Sequence, residues 1–321
     1  MAFFLVTGGC GFIGSHLVDA LVTQGHRVRI LDNLTTGREE NAPTAAELVV
    51  ADVTDSEAVK HCITGADGIF HLAAIASVEQ SRRDWAGCHA VNLGGCIKVL
   101  DAARRQANAP RVVYASSAAV YGDNAAVPLT EADTPSPINA YGADKYGCEL
   151  HGRIARLLYG IPTVGLRFFN VYGPRQDPRS PYSGVISIFC ERLRRGAPLE
   201  IFGDGTQTRD FIAVADVVAA LRAAQPVAQA AARGPVPRQD SSDAPVFNVC
   251  TGIATSIIEL AHTIAALAGV PTDIRHAPPR AGEIRHSVGA PNLSQRALGL
   301  APPVALRDGL RRVLDWLGTP G

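Results

Sequence analysis

Tyr141 and Lys145 stand four residues apart in Tyr141-Gly142-Ala143-Asp144-Lys145. On a helix that spacing puts both side chains on one face. A cation beside a phenol favours its ionised form, so the pair suits proton transfer to and from an alcohol near neutral pH. Ser117 lies upstream in Ala115-Ser116-Ser117-Ala118-Ala119-Val120-Tyr121-Gly122, where its hydroxyl can hydrogen-bond the oxygen whose proton Tyr141 takes. Near the start, Thr7-Gly8-Gly9-Cys10-Gly11-Phe12-Ile13-Gly14 carries Gly8, Gly11 and Gly14 at three-residue intervals. Such a loop lets backbone approach a pyrophosphate and aims the N-terminus of the next helix at it. Asp32 follows about 20 residues on, the distance at which a carboxylate takes the adenosine ribose hydroxyls. It would repel a 2′-phosphate, so NAD is favoured over NADP.

These groups need a frame that brings them to one edge. Strand patterns at residues 3–7, 27–31, 48–51, 68–72 and 111–115 alternate with helical patterns such as 15–23 and 91–106. That alternation predicts parallel βαβ units in a doubly wound α/β sheet of Rossmann type. Ser117 then falls at the carboxyl edge, where such folds bind ligands. Asp52-Val53 after the third strand stands where adenine is read. His71-Leu72-Ala73-Ala74 after the fourth puts small residues where the cofactor passes. A further strand is expected at 163–168, then another at 246–249 and a helix at 256–267. Residues 1–172, with returning segments near 210–224 and 246–252, are assigned to the NAD-binding domain. Residues 173–321 are assigned mainly to a smaller substrate-binding subdomain, with the Ala/Pro/Gln/Ser-rich stretch 225–245 as a mobile surface loop.

The 30 basic and 30 acidic residues balance, which speaks against a nucleic-acid or membrane-surface binder. No apolar run reaches the ~20 residues of a membrane span. The apolar N-terminus enters the glycine loop with no basic stretch before it, so it reads as a buried strand and not a signal peptide. The seven cysteines are scattered, without CxxC or a His/Cys cluster. Reduced thiols in the cytoplasm and no metal site are the expectation.

Glycine loop, serine and YxxxK, in that order, resemble the extended short-chain dehydrogenase/reductase family of NAD-dependent epimerases and dehydratases. Within it the chain looks most like the UDP-glucose and UDP-N-acetylglucosamine 4-epimerases. The likeness runs from TGGCGFIG at residue 7 to RAGEIRHS at residue 280. It implies Ser117, Tyr141 and Lys145 as the catalytic triad. It implies Gly8, Gly11, Phe12, Ile13, Gly14, Asp32, Asn33, Asp52, Val53, Leu72, Ala73, Ala74, Asn92 and Phe168 around the cofactor, with Tyr141 and Lys145. Lys145 would also hold the nicotinamide ribose. For the nucleotide sugar it implies Ser77, Ser117, Asn170, Val185, Phe202 against uracil, Arg209 and Arg280 on the diphosphate, Glu283 on the ribose, and Ser287 beside the sugar. Two arginines converging on a diphosphate make physical sense, since a planar guanidinium pairs bidentately.

Chemistry within the family is decided by variable positions. Dehydratases carry an Asp-Glu pair where this chain has Ala118-Ala119, and the decarboxylases' Glu is also absent. Without that acid and base, water cannot be eliminated from the sugar. Reversible oxidation at C4 through a 4-keto intermediate remains. Ser287 replaces the bulky Tyr of hexose-restricted relatives and leaves room for a 2-acetamido group, which points to UDP-GlcNAc/UDP-GalNAc, with UDP-Glc/UDP-Gal alongside. UDP-glucuronate 4-epimerisation stays open, because Arg175 and Arg285 are of unknown direction, as do other sugar-nucleotide epimerases or dehydratases. A non-catalytic NAD-binding protein would not need the phenol and ammonium together. A homodimer pairing the helices near 91–106 and 141–158 is also implied.

Overall fold

In the computed structural model, residues 1–178, 184–271 except 234–244, 273–279 and 284–318 are described. Seven parallel strands form one sheet: β1 (Phe3–Thr7), β2 (Arg27–Asp32), β3 (Glu47–Val50), β4 (Gly68–His71), β5 (Arg111–Ser117), β6 (Thr163–Phe168) and, far along the chain, Val246–Val249. The order, from one edge, is Val246–Val249, β6, β5, β4, β1, β2, β3. The order reverses between β1 and β4, which opens a crevice above their carboxyl ends.

Alternation along each strand sends side chains to two cores. Phe4, Val6, Phe70 and Val113 meet α1 (Phe12–Thr23) on one side. Leu5, Ile69, Val112 and Tyr114 meet α2 (Ser56–Ile63) on the other. Short α3 (Val78–Arg83) and α4 (Trp85–His89) lead through a π-helical turn, Ala90–Gly94, into α5 (Gly95–Ala103). The expected helix over 91–106 is therefore α5 with a π entry. Asn139 caps the 20-residue α6 (Ala140–Tyr159) by accepting from the Gly142 N–H, and Gly160 in the left-handed region ends it.

The second half builds a smaller body. Strand β7 (Asn170–Tyr172) pairs with β10 (Phe211–Ala213), and β8 (Leu199–Phe202) with β13 (Ile274–Ala277). Strand β9 (Thr208–Arg209) lies between β12 (Thr255–Ser256) and β14 (His286–Ser287). Val246–Val249 is β11. Helices α7 (Val185–Arg194), α9 (Ile257–Ala268) and α11 (Leu306–Leu317) enclose a third core, with Phe189, Leu199, Ile201, Leu260, Ile264 and Leu310 buried.

The loop expected over 225–245 needs correction at its start. Helix α8 (Val214–Arg233) runs through Pro226, and Gln225 is buried with its amide donating to the Ile69 carbonyl. A Pro and polar composition suggested a break, but Ala220, Leu221, Ala224 and Ala228 give the helix an apolar face on the sheet, and that packing overrides the proline. Residues 234–244 lie outside the described residues.

Candidate active site

The glycine loop is shaped by contact. Gly8 has φ 71°, and a Cβ there would sit 2.8 Å from the Ala73 backbone nitrogen. At Gly14 a Cβ would run into the Gly8 carbonyl oxygen. The loop therefore folds tightly onto α1 and onto the Leu72-Ala73 segment after β4. No side chain caps α1 at Gly11, so the first-turn N–H groups of Phe12, Ile13 and Gly14 remain for an anion. At the end of β2 the Asp32 carboxylate is buried. It accepts from the Cys10 N–H at 2.9 Å and the Leu34 N–H at 2.9 Å. Asn33 donates to Asp52 at 2.6 Å, and Asp52 also accepts from Thr54. Burial alone would raise the Asp52 carboxyl, yet these donors hold it below its ordinary value. Arg38, beside this carboxylate pair, turns away to Asp177 at 2.7 Å and Glu40 at 3.3 Å. These residues form a cradle that fits a dinucleotide bearing a free ribose diol.

One neighbour was not singled out from sequence. His71 is fully enclosed, and burial together with the Lys145 charge pushes it down to about 3. The Ala73 N–H donates to Thr7 Oγ1, and the Thr7 hydroxyl lies 2.8 Å from His71 Nδ1. The ring is therefore neutral at physiological pH and shares a hydrogen bond with Thr7 through Nδ1. A histidine ending a strand is too ordinary to betray that.

The corner holding Ser117, Tyr141 and Lys145 is built by β5 and α6. Ser117 ends β5, and its oxygen accepts from the Ala119 N–H at 3.2 Å. Lys145 is 4% exposed and donates to the Ala115 carbonyl of β5 at 3.0 Å, stapling α6 to the strand. Its Nζ lies 5.8 Å from the Tyr141 ring centroid. A Cβ on Gly142 would lie 2.6 Å from the Ala119 carbonyl, so the tyrosine's turn presses directly on the segment after Ser117. All three residues thus share the carboxyl edge of the sheet.

Two of the implied contacts also hold backbone around them. Asn92 is 1% exposed, and its amide accepts from the Ile75 N–H at 2.8 Å and donates to the Ile75 carbonyl at 3.2 Å. It holds the backbone of the loop that follows Ala73-Ala74. Ser77 is 5% exposed and caps α3 by accepting from the Gln80 N–H. Val53 and Phe168 are buried in the two cores flanking the sheet.

In the second half, Ser287 pairs directly with Arg209 in register. Arg209 donates to the carbonyls of Thr208 and Arg285, which fixes its guanidinium. Beneath them Asp210 is wholly buried and accepts from Thr251 N and Oγ1, Gly252 N and Gly289 N. Burial pushes its carboxyl up despite those donors. Asn170, exposed on β7, and Phe202, closing β8, frame the same region, and Val185 opens α7 nearby. Arg280 and Glu283 lie outside the described residues. Arg175 is drawn to Asp19 at 2.7 Å and Arg285 to Asp204 at 3.5 Å, so both of the open directions are now assigned to ion pairs. Among the described residues there is no His/Cys/Asp/Glu cluster able to hold a metal ion. No helix there is long and apolar enough to cross a membrane.

The model of the NAD dependent epimerase/dehydratase family matches residues 4–250. A UDP-glucose 4-epimerase of Mycolicibacterium smegmatis is 38% identical, over 97% of this chain and 97% of its own length. The crystal structure of UDP-glucose 4-epimerase from Thermotoga maritima, with UDP-glucose, superposes with a TM-score of 0.90 at 34% identity, covering 98% of each chain. The UDP-N-acetylglucosamine 4-epimerase of Methanobrevibacter ruminantium, in complex with UDP-N-acetylmuramic acid, gives 0.89 at 34% identity, again over 98% of each chain.

Proposed function

This chain belongs to the NAD-dependent epimerase/dehydratase family, and on that premise we propose that it is a UDP-sugar 4-epimerase using NAD, an isomerase that inverts C4 of UDP-GlcNAc and UDP-GalNAc, with UDP-Glc and UDP-Gal also accepted. The observation that carries the reading is the corner itself: Lys145 bonded to β5 and 5.8 Å from the Tyr141 ring, with Ser117 at the strand's end and Ala118-Ala119 following.

When bound, the dinucleotide supplies a reversible acceptor for the hydrogen at sugar C4. The Gly8–Gly14 loop and the α1 N-terminus hold its diphosphate, and Asp32 and Asn33 its adenosine ribose. Ser117 donates a hydrogen bond to sugar O4. Tyr141 takes the O4 proton and later returns it, while the Lys145 ammonium favours the charge left on the phenol oxygen. Arg209 and Arg280 hold the diphosphate as the 4-keto sugar turns its other face to the same corner. Oxidation and return leave no net redox change, so the cofactor stays between turnovers. Ser287, against Arg209 in register, leaves room for the 2-acetamido group.

Residues Leu150, Ile154, Leu157 and Leu158 leave an exposed apolar stripe on α6, beside Ile97 of α5. A stripe of that kind on two adjacent helices favours a homodimer that pairs them with a second copy. A cytoplasmic location agrees with seven cysteines that are all free and buried.

The deciding experiment incubates the protein separately with UDP-GlcNAc, UDP-Glc and UDP-glucuronate, without added cofactor, and resolves the C4 epimers by NMR. Epimer formation that vanishes in Tyr141→Phe is expected, fastest with UDP-GlcNAc. No epimer, even with NAD added, would sink the reading.

A further inference from the structure

Tyr141, Lys145 and Glu149 fall at i, i+4 and i+8 on α6, so a carboxylate lies one turn below the catalytic pair. Glu149 is 6% exposed and starts a chain of buried polar contacts. Ser116, next to Ser117, donates to its Oε1 at 2.5 Å. Arg167 of β6 donates to both carboxylate oxygens, at 2.9 and 2.7 Å. The same guanidinium donates to the Tyr121 hydroxyl at 2.7 Å. Burial pushes the Tyr121 phenol up to about 12, so it keeps its proton and donates it to Asn248 Oδ1 at 2.7 Å. Asn248 of β11 in turn donates from Nδ2 to the Leu129 carbonyl at 2.9 Å. Leu129 bridges to the strand carrying Ser287: its N–H donates to the Val288 carbonyl and its carbonyl accepts from the Ala290 N–H, each at 2.8 Å.

We propose that Tyr121 is a positioning residue for the reaction: through Arg167 and Asn248 its hydroxyl fixes the catalytic end of β5 against the sugar-facing strand at Ser287. Tyr121 touches neither Tyr141 nor Lys145 in the contacts above, so it acts through the backbone it anchors. Its hydroxyl is the central link, accepting from one partner and donating to the other. A core could have been filled with apolar side chains at lower desolvation cost. A buried, fully paired polar chain instead specifies a single arrangement. C4 must present both faces to one corner, so the distance between that corner and the subsite holding the sugar has to be kept through the turn. Misplacement of about 1 Å is enough to cost on the order of 100-fold in rate.

This inference rests on the epimerase reading, and the test separates the two. Tyr121→Phe keeps the ring and removes the hydroxyl. It is expected to lower kcat for UDP-sugar epimerisation roughly 10-fold with KM within about twofold of the parent. Hydrogen exchange on the same holoprotein is expected to speed up at the Ala290 amide, with the β1 amides unchanged. Parent-like kcat in an active, folded variant overturns the proposal, as does a proportional change in KM. Unchanged exchange at Ala290 also overturns it, whether or not the parent epimerises any sugar. Absence of epimerisation by the parent itself would overturn the proposed function instead. Should Tyr121→Phe fail to fold, Ser116→Ala removes the hydrogen bond at the far end of the chain, and the same split of kcat from KM is expected; parent-like kinetics there would overturn the proposal.

Discussion

In the proposed function, the two halves of the molecule meet two nucleotides in opposite ways. The first half uses consecutive residues and little side chain: a glycine loop, an uncapped helix terminus and one strand-end carboxylate, all within Gly8–Asp32. The second half uses strands of two to four residues drawn from positions between 170 and 287, tied by one buried aspartate, Asp210. A cradle made from backbone tolerates little change in the residues that shape it. A site assembled from short strands depends on whatever joins them, while the residues facing the ligand are free to vary.

The largest effect should come from filling the cradle. Gly14→Val places a side chain against the Gly8 carbonyl and is expected to weaken cofactor binding on the order of 100-fold or more, about 3 kcal/mol, as titration calorimetry would show. Wild-type affinity would break the contrast. Next, Asp210→Asn removes acceptor capacity where four donors converge. Its new amide N–H groups meet N–H donors, so a loss of roughly 3 kcal/mol is expected by denaturant unfolding. KM for the nucleotide sugar should rise while cofactor content holds; equal damage to both sites would show that the halves are not served separately. Ser287→Tyr changes a side chain that the proposed function sets beside the sugar, and leaves the backbone pairing of β14 with β9 in place. It should lower kcat/KM for UDP-GlcNAc at least about 10-fold relative to UDP-Glc, with unchanged melting temperature. Equal loss on both sugars would remove Ser287 from the specificity argument.

The last effect concerns pH and vanishes near neutrality. His71 titrates far below the unfolded value of ~6.5, down at about 3 in the folded chain. Between those values the unfolded chain binds one more proton than the folded one. Stability is therefore complete above pH ~6.5 and falls with acidification, by about 1.4 kcal/mol per unit at most. His71→Gln should flatten the dependence of unfolding free energy between pH 6 and 4 by about one proton; an unaltered slope would show that other groups set it.

This contrast also explains what could be read in the sequence. Strand positions such as Phe3–Thr7 and Thr163–Phe168 were legible to the residue, because buried parallel strands leave continuous apolar runs between loops. That Ser117, Tyr141 and Lys145 share one corner was legible because their spacing has chemical meaning. The bond of Asn92 to Ile75 was not legible, because a side chain's hydrogen-bond partner depends on a loop 17 residues away. The stretch from residue 225 reads as a loop because a proline and a polar run outweigh an apolar face that only the sheet makes visible, whereas α8 runs through it to Arg233. Asp210, Arg167 and Asn248 gave no local signal at all. Each is polar because of partners scattered over the chain, and one sequence does not show which polar residues will meet.

Strand β11 has a consequence for how the chain comes together during synthesis. It pairs with β6 through Val246↔Gly165 to Val249↔Phe168, yet it is made some eighty residues later. Until it arrives, the first half has its glycine loop and the corner of Ser117, Tyr141 and Lys145 but exposes the hydrogen-bonding edge of β6. An open edge of that kind invites pairing with another chain. Docking of β11 on β6 closes that edge.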